Sequence, residues 1–284
     1  MPAPADAPPL VHIRGLKIAF QRHGAEPFTA VKGIDLELKQ GESMAIVGES
    51  GSGKSVTALS FARLLPEPPA RISADEFQIK GQNILKLSEP QMRKMRGKDI
   101  SYVFQEPSTS LNPVLTVRTQ IAEALRLHRP EVKDIDAEIL QWLSRVGIVE
   151  PEKRLRAYPH ELSGGMQQRV MIAMALCCHP SLLIADEPTT ALDVTIQKQI
   201  IDLLAELRRS LGMSIILITH NFAIIREVAD KVAVMFRGEI VEAGTTEEVL
   251  GNPKHAYTKA LLDCVPRLGV KLERLKAIDY STLG

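Results

Sequence analysis

Aromatic residues make up only 4% of the 284 residues, with one tryptophan, so aliphatic side chains must fill the core. Three cysteines, Cys177, Cys178 and Cys264, are too few for a disulfide framework and lack metal-ligand spacing. Cys177 and Cys178 close an Ala/Met/Leu helical run and read as core thiols. No charge of one sign dominates: 35 Lys and Arg stand against 34 Asp and Glu. Bulk charge therefore gives no sign of general nucleic-acid or membrane-surface binding. No apolar run approaches the roughly 18–20 residues of a membrane-spanning helix. The start, Met1-Pro2-Ala3-Pro4-Ala5-Asp6, lacks the basic and then apolar stretches of a signal peptide. We expect a soluble, cytoplasmic chain, which only another polypeptide could hold at a membrane. The apolar share of 45% is ample for a packed core, and the length allows one large domain with appendages.

What is present centres on Gly48-Glu49-Ser50-Gly51-Ser52-Gly53-Lys54-Ser55, which fits G-x-x-x-x-G-K-[ST], the phosphate-binding P-loop. The apolar run Met44–Val47 before it reads as a buried strand, and Thr57–Leu65 after it as a helix. Glycines let the backbone turn tightly and aim successive N–H groups at anionic oxygens. The helix N-terminus adds partial positive charge. Lys54 would reach the β- and γ-phosphates, and the Ser55 hydroxyl would ligate Mg²⁺.

Around this motif the chain alternates. Residues 1–9 are rich in Ala and Pro and are expected to be disordered. Leu10–Phe20 and Ile34–Leu38 read as strands of an antiparallel layer ahead of the P-loop strand. Phe77–Gly81 and Asp99–Phe104 read as further strands, the second leading to Gln105. From about 107 to 165 helical spacing takes over, in Val117–His128 and Ile135–Val146, as an insertion into an α/β core. Then come an apolar strand Ser181–Ala185, an amphipathic helix Ile196–Leu211, a second apolar strand Ser214–Thr219 and a hairpin Lys231–Ala243 turning at Arg237-Gly238. Apolar strands alternating with helices predict a mainly parallel sheet covered on both faces. The expected fold class is α/β: a P-loop NTPase core with an antiparallel β layer and an inserted α-helical subdomain.

Other motifs carry chemistry in combination. Leu182–Ala185 ends in Asp186-Glu187. Asp186 suits water-mediated Mg²⁺ binding, as in a Walker B motif, and Glu187 could orient or activate the attacking water. Leu162-Ser163-Gly164-Gly165-Met166 precedes a helix over Gln167–Leu176. Alone it reads more readily as an N-cap with glycines than as a second anion-binding turn. Alone, His220 at a strand end is more often structural, and Gln105 is only a polar strand terminus.

Their order decides. P-loop, Gln105, Leu-Ser-Gly-Gly, Asp186-Glu187, Ala191-Leu192-Asp193 and His220 together resemble the nucleotide-binding domain of ATP-binding cassette (ABC) proteins over residues 10–262. The resemblance implies that each ATP, with Mg²⁺, lies between the P-loop of one cassette and the signature turn of another. It implies that Ser163, Gly164 and Gly165 contact the γ-phosphate held by the other cassette. Gln105 would touch Mg²⁺ or water and sense a transmembrane partner. Asp193 would line the dimer seam, and His220 would contact the γ-phosphate. Gly48, Ser50, Gly51, Ser52, Gly53, Lys54 and Ser55 would hold phosphate, with Ser55, Gln105 and Asp186 at the metal and Glu187, His220 and Lys54 catalytic. Phe20 stands where the family places an aromatic on adenine, although it also reads as a core residue. One departure is Met166, where the family's signature has Gln.

Local matches resemble the peptide/nickel importer branch: Glu106–Pro113, Tyr158–Leu162 and His255–Leu262. Arg63–Pro69 further resembles the peptide and microcin C type, in which two cassettes are often fused. The expected function is to power ABC-type import of peptides or peptide-like solutes from the cytoplasmic face of the inner membrane. The implied partners are two transmembrane permease subunits, a second cassette (homodimeric, heterodimeric or fused) and, indirectly, a periplasmic solute-binding protein, with no nucleic acid. Some oligopeptide members carry a C-terminal cysteine motif for an iron–sulfur cluster; only Cys264 stands in that region here, and no cluster is expected. Residues 263–284 are expected to be a tail or the start of a linker to a second cassette. The alternative is a soluble ABC ATPase acting in DNA repair or translation.

Overall fold

A computed structural model describes residues 8–264 apart from His23 and Ala191. Of the stretch expected to be disordered (1–9), residues 1–7, and of the tail or linker expected over 263–284, residues 265–284, lie outside the described residues. The chain divides into two compact units, one up to Lys86 and from Leu217 onward, the other Leu87–Ile216.

The first unit opens with long strands β1 (Val11–Arg22) and β2 (Ala25–Leu38), paired antiparallel. Strand β3 (Ser43–Val47) is buried at every position, as its unbroken apolar pattern requires. Helix α1 (Lys54–Phe61) follows the P-loop. It starts three residues before the sequence pattern suggested, because Gly53 caps it in the left-handed conformation at φ 106°. It also stops early, since Arg63 turns to φ 48°. Strands β4 (Ala70–Ser73), β5 (Glu76–Ile79) and β6 (Gln82–Asn83) complete an antiparallel layer in which β1 pairs with β2, β4 and β5. Phe61 and Phe77 meet edge to face at 5.6 Å in its core.

The second unit begins with α2 (Glu89–Met95), capped by a reciprocal Ser88–Gln91 box. Strand β7 (Ile100–Val103) follows. Helices α3 (Pro107–Ser110), α4 (Val117–His128), α5 (Ile135–Arg145) and α6 (Pro151–Arg154) come next. Helix α7 (Gly164–Leu176) leads to β8 (Leu182–Asp186), which pairs parallel with β7. Helix α8 (Val194–Leu211) and strand β9 (Ser214–Thr219) close the unit, β9 carrying the chain back to the first. Helices α4, α5 and α7 pack together. They bury Val117, Ile121 and Leu125 of α4 and Ile139, Trp142 and Leu143 of α5, at helical spacing. Helix α7 buries residues on most sides, and Cys177 and Cys178 just after it are buried free thiols, as expected. Of the apolar face expected from spacing (Ile196, Ile200, Leu203, Leu204, Leu207 and Leu211), helix α8 buries the middle four together with Ile201, while Ile196 and Leu211 near its ends are half-buried. Gly212, at φ 63°, ends it.

Back in the first unit lie α9 (Phe222–Val228), β10 (Lys231–Phe236), β11 (Glu239–Thr245), α10 (Thr246–Gly251) and α11 (Ala256–Asp263). Strand β10 pairs parallel with β3 and antiparallel with β11, through the predicted turn at Arg237-Gly238. The fold is thus α/β, with parallel strand pairs and a separate antiparallel layer. Among the described residues no helix is long and apolar enough to cross a membrane.

The register of β3 is set at its start. Ser43 N donates to the Asp230 carboxylate at 2.8 Å, its hydroxyl to Val228 O at 2.7 Å, and Asp230 N returns a bond to Ser43 O at 3.0 Å. Ser43 is 1% exposed. Asp230→Ala removes the acceptor of a buried N–H, a loss of about 1–3 kcal/mol. The expected outcome is a lower urea midpoint by circular dichroism with an unchanged native spectrum.

Candidate functional site

In the first unit the chain after β3 turns through the P-loop at positions where no side chain fits. A Cβ on Gly48, at φ 149°, would lie 2.1 Å from the Met235 carbonyl oxygen. One on Gly53 would lie 2.7 Å from the Ala30 carbonyl oxygen. Gly48 and Gly53 are therefore required by neighbouring backbone as well as by the turn itself. The β10–β11 turn braces the loop, since Gly238 N donates to Ser52 O at 3.0 Å and Lys32 N donates to Gly238 O at 2.8 Å. Lys54 is 5% exposed. Its ammonium donates to Gly48 O at 2.8 Å and Glu49 O at 2.7 Å and lies 3.4 Å from Ser52 Oγ. The cation thus sits inside the loop it follows.

Tyr257, within the segment His255–Leu262 that resembles the importer branch, is a supporting residue with no site role expected from sequence. It is fully buried in α11, and its hydroxyl accepts a 3.0 Å hydrogen bond from Glu49 N. Its ring lies 4.1 Å from that of Phe236. The segment His255–Leu262 is thereby tied to the P-loop. His220, exposed just beyond β9, belongs to this unit as well. Phe20 is half-buried on β1, directly opposite Phe28 of β2. Phe28 is 48% exposed and offers a second aromatic beside the one singled out from sequence.

The second unit gathers the acidic residues. Asp186 ends β8 and is buried, and Tyr102 of β7 donates its hydroxyl to Asp186 Oδ2 at 3.0 Å. Burial and then the Asp186 charge push the Tyr102 hydroxyl far above its usual pKa, so it remains a donor. Glu187 takes φ 46° and turns its carboxylate to two partners. Gln105 Nε2 donates to Glu187 Oε2 at 3.2 Å, and the Thr190 hydroxyl donates to the same oxygen at 2.8 Å. Gln105 and Asp186-Glu187, distant in sequence, are thus brought together by the parallel pairing of β7 with β8.

Ser163 and Asp193 are both N-caps. Ser163 Oγ accepts from Met166 N at 3.4 Å at the start of α7, and Asp193 Oδ1 accepts from Ile196 N at 3.0 Å at the start of α8. The signature turn meets the start of α8: an added Cβ would lie 3.8 Å from Leu192 on Gly164 and 3.1 Å from Ile196 on Gly165. At Met166, the departure from the family's signature, the backbone N–H supplies the cap bond.

A protein-family model described as ABC transporter matches residues 31–190. The chain belongs to the ABC transporter family. A second model, the oligopeptide/dipeptide transporter C-terminal region, matches residues 241–282. Among relatives, the "Dipeptide transport ATP-binding protein DppD" of Bacillus subtilis is 48% identical over 95% of this chain and 81% of its own length. The "Peptidoglycan transport ATP-binding protein YejF" of Agrobacterium fabrum is 52% identical over 91% of this chain and 47% of its own. The "Glutathione import ATP-binding protein GsiA" of Salmonella choleraesuis is 50% identical over 93% and 43%. The chain therefore spans less than half the length of YejF and GsiA. Among solved structures, the ATP-binding cassette MJ0796, in a dimeric post-hydrolysis state bound to ADP and Pi, aligns with a TM-score of 0.74. It is 28% identical and covers 83% of this chain and 98% of its own. The cassette thus takes the fold of an ABC ATPase.

At Gly48 even the smallest side chain meets backbone. Strain of about 1–3 kcal/mol corresponds to roughly five-fold or more in affinity. Gly48→Ala is expected to lower the Tm and weaken binding of the fluorescent nucleotide TNP-ATP by at least that factor in a titration.

Proposed function

We propose that this chain is the ATP-binding and ATP-hydrolysing subunit of an importer of peptides or peptide-like solutes. It would act on the cytoplasmic face of the inner membrane with two permease subunits and, indirectly, a periplasmic solute-binding protein. The observation that carries this reading is the match of residues 241–282 to the oligopeptide/dipeptide transporter C-terminal region, downstream of the ABC match. The names of DppD, YejF and GsiA support the solute class. The cassette is taken to run over residues 10–262, with a helical insertion over about 107–165 and a tail or linker from 263.

The site residues act as follows in this reading. Backbone N–H groups from Gly48 to Ser55, with Ser50, Gly51, Ser52 and Gly53 between, cradle phosphates, and Lys54 exchanges its bonds to loop carbonyls for bonds to phosphate. Phe20 lies on adenine. Ser55, Gln105 and Asp186 offer hydroxyl, amide and carboxylate oxygens, a hard donor set that suits Mg²⁺. The Tyr102 hydroxyl, held in its donor form, favours an ionised Asp186 and so fits a cation. Mg²⁺ would supply charge neutralisation of the transferring phosphoryl group. Glu187, oriented by Gln105 and Thr190, accepts a proton from the attacking water. His220 contacts the γ-phosphate. Ser163, Gly164 and Gly165 complete the site on ATP held by a second cassette, and Asp193 lines the seam between the two. Closure would pull on the permeases through the stretch 105–117, where Val114 is 75% exposed as an apolar contact.

Two substitutions test the roles. Glu187→Gln is expected to retain ATP binding, lose ATPase turnover by about 10²-fold or more, and accumulate an ATP-bound dimer in size-exclusion chromatography. Rapid hydrolysis by that variant would remove Glu187 as the base. Ser163→Arg is expected to bind TNP-ATP normally as a monomer yet fail to dimerise in the Glu187→Gln background; normal dimerisation would overturn the shared site.

A further inference from the structure

Three loops of the second unit share one construction. At each, the N-cap side chain accepts the N–H three residues on: Thr116 from Thr119, Ser163 from Met166, Asp193 from Ile196. At each, the residue four positions after the cap is glutamine: Gln120, Gln167 and Gln197. Each glutamine turns its side-chain amide back to two carbonyls of the loop that enters the helix. Gln167 Nε2 donates to Pro159 O at 2.8 Å and Leu162 O at 3.1 Å. Gln197 Nε2 donates to Thr189 O and Leu192 O, both at 3.0 Å. Gln120 Nε2 donates to Asn112 O at 3.1 Å and Leu115 O at 3.0 Å. The acceptors stand four residues and one residue before the cap in all three cases. One planar NH₂ group with two fixed donors therefore sets the width of a four-residue turn.

We infer that Gln167 and Gln197 are positioning residues that hold the Ser163-Gly164-Gly165 turn and the Asp193 loop at the spacing needed to engage a second cassette. The inference rests on the shared-site reading above and concerns residues which that reading leaves without a role. The two loops are mechanically joined, because Gly164 lies against Leu192 and Gly165 against Ile196. Releasing either loop from its glutamine lets both shift. A displacement on the order of 1 Å at a site that must meet a partner can cost about 10²-fold. The third copy, Gln120, braces a turn that carries no residue assigned to nucleotide and serves as an internal control for stability.

The test uses the full chain carrying Glu187→Gln, with Gln167→Leu, Gln197→Leu or Gln120→Leu added. All three should lower the Tm by a similar amount, about 2–5 °C. All three should bind TNP-ADP as the parent does, since the P-loop is untouched. Only the Gln167 and Gln197 variants should lose the ATP-driven dimer, needing about ten- to a hundred-fold more ATP or protein to form it. With Glu187 restored, the same two should show a raised KM for ATP. Glutamate at either position keeps side-chain length and polarity but has no N–H to give, and should reproduce the loss. Normal dimerisation by the Gln167 and Gln197 variants, equal loss in Gln120→Leu, or normal dimerisation with glutamate overturns the inference. A Glu187→Gln parent that never dimerises with ATP overturns the shared-site reading and this inference with it, and is distinguished from the other outcomes by appearing before any glutamine is changed.

Discussion

The approach of the Gly48 backbone to the Met235 carbonyl is the contact on which the first unit depends. Strand β3 runs buried beside β10, and the chain must leave its end without a side chain to obstruct β10's carbonyl. That clearance lets the loop fold back far enough for Lys54 to reach the Gly48 and Glu49 carbonyls. It also lets Gly238 clamp Ser52 from the hairpin. The buried Ser43–Asp230 bonds at the other end of β3 keep the register that makes the approach possible. Tyr257 adds support from α11, which ties the segment matched as the oligopeptide/dipeptide C-terminal region to the phosphate loop.

In the second unit the governing constraint is the satisfaction of backbone groups where loops become helices. The first N–H groups of a helix and the last carbonyls of the loop before it both need partners. Here caps and glutamines supply them in repeated form, so loops that lack regular structure are still held in one shape. The parallel pairing of β7 with β8 does for the acidic cluster what the caps do for the turns. It sets Tyr102 against Asp186 and Gln105 against Glu187. Hydrogen bonds from the Tyr102 and Thr190 hydroxyls and the Gln105 amide thus help to fix the direction of the two carboxylates.

Much of this was legible in the chain itself. The P-loop, the Asp186-Glu187 strand end and the signature turn are local patterns with a mechanical reason for each residue. The apolar runs Met44–Val47 and Ser214–Thr219 and the helical faces of α4, α5 and α8 follow from periodicity. Helix boundaries were less legible: α1 begins at Lys54 because a left-handed glycine can cap a helix without any side-chain signal. The cap-and-glutamine spacing was present in the sequence, but its meaning depends on which carbonyls the amide finds.

The sequence alone determined the family, the α/β class and the residue types available for phosphate chemistry, because these rest on short-range spacing and on the order of motifs. Only the tertiary structure decided that Tyr257 supports Glu49, that Thr190 shares Glu187 with Gln105, and that Gly165 lies against Ile196. The Tyr257–Glu49 bond links residues far apart along the chain. In the other two, a hydroxyl and a hydrogen-only side chain take their meaning from what stands next to them. Distance and direction between such groups are set by strand pairing and helix packing, which no local pattern encodes.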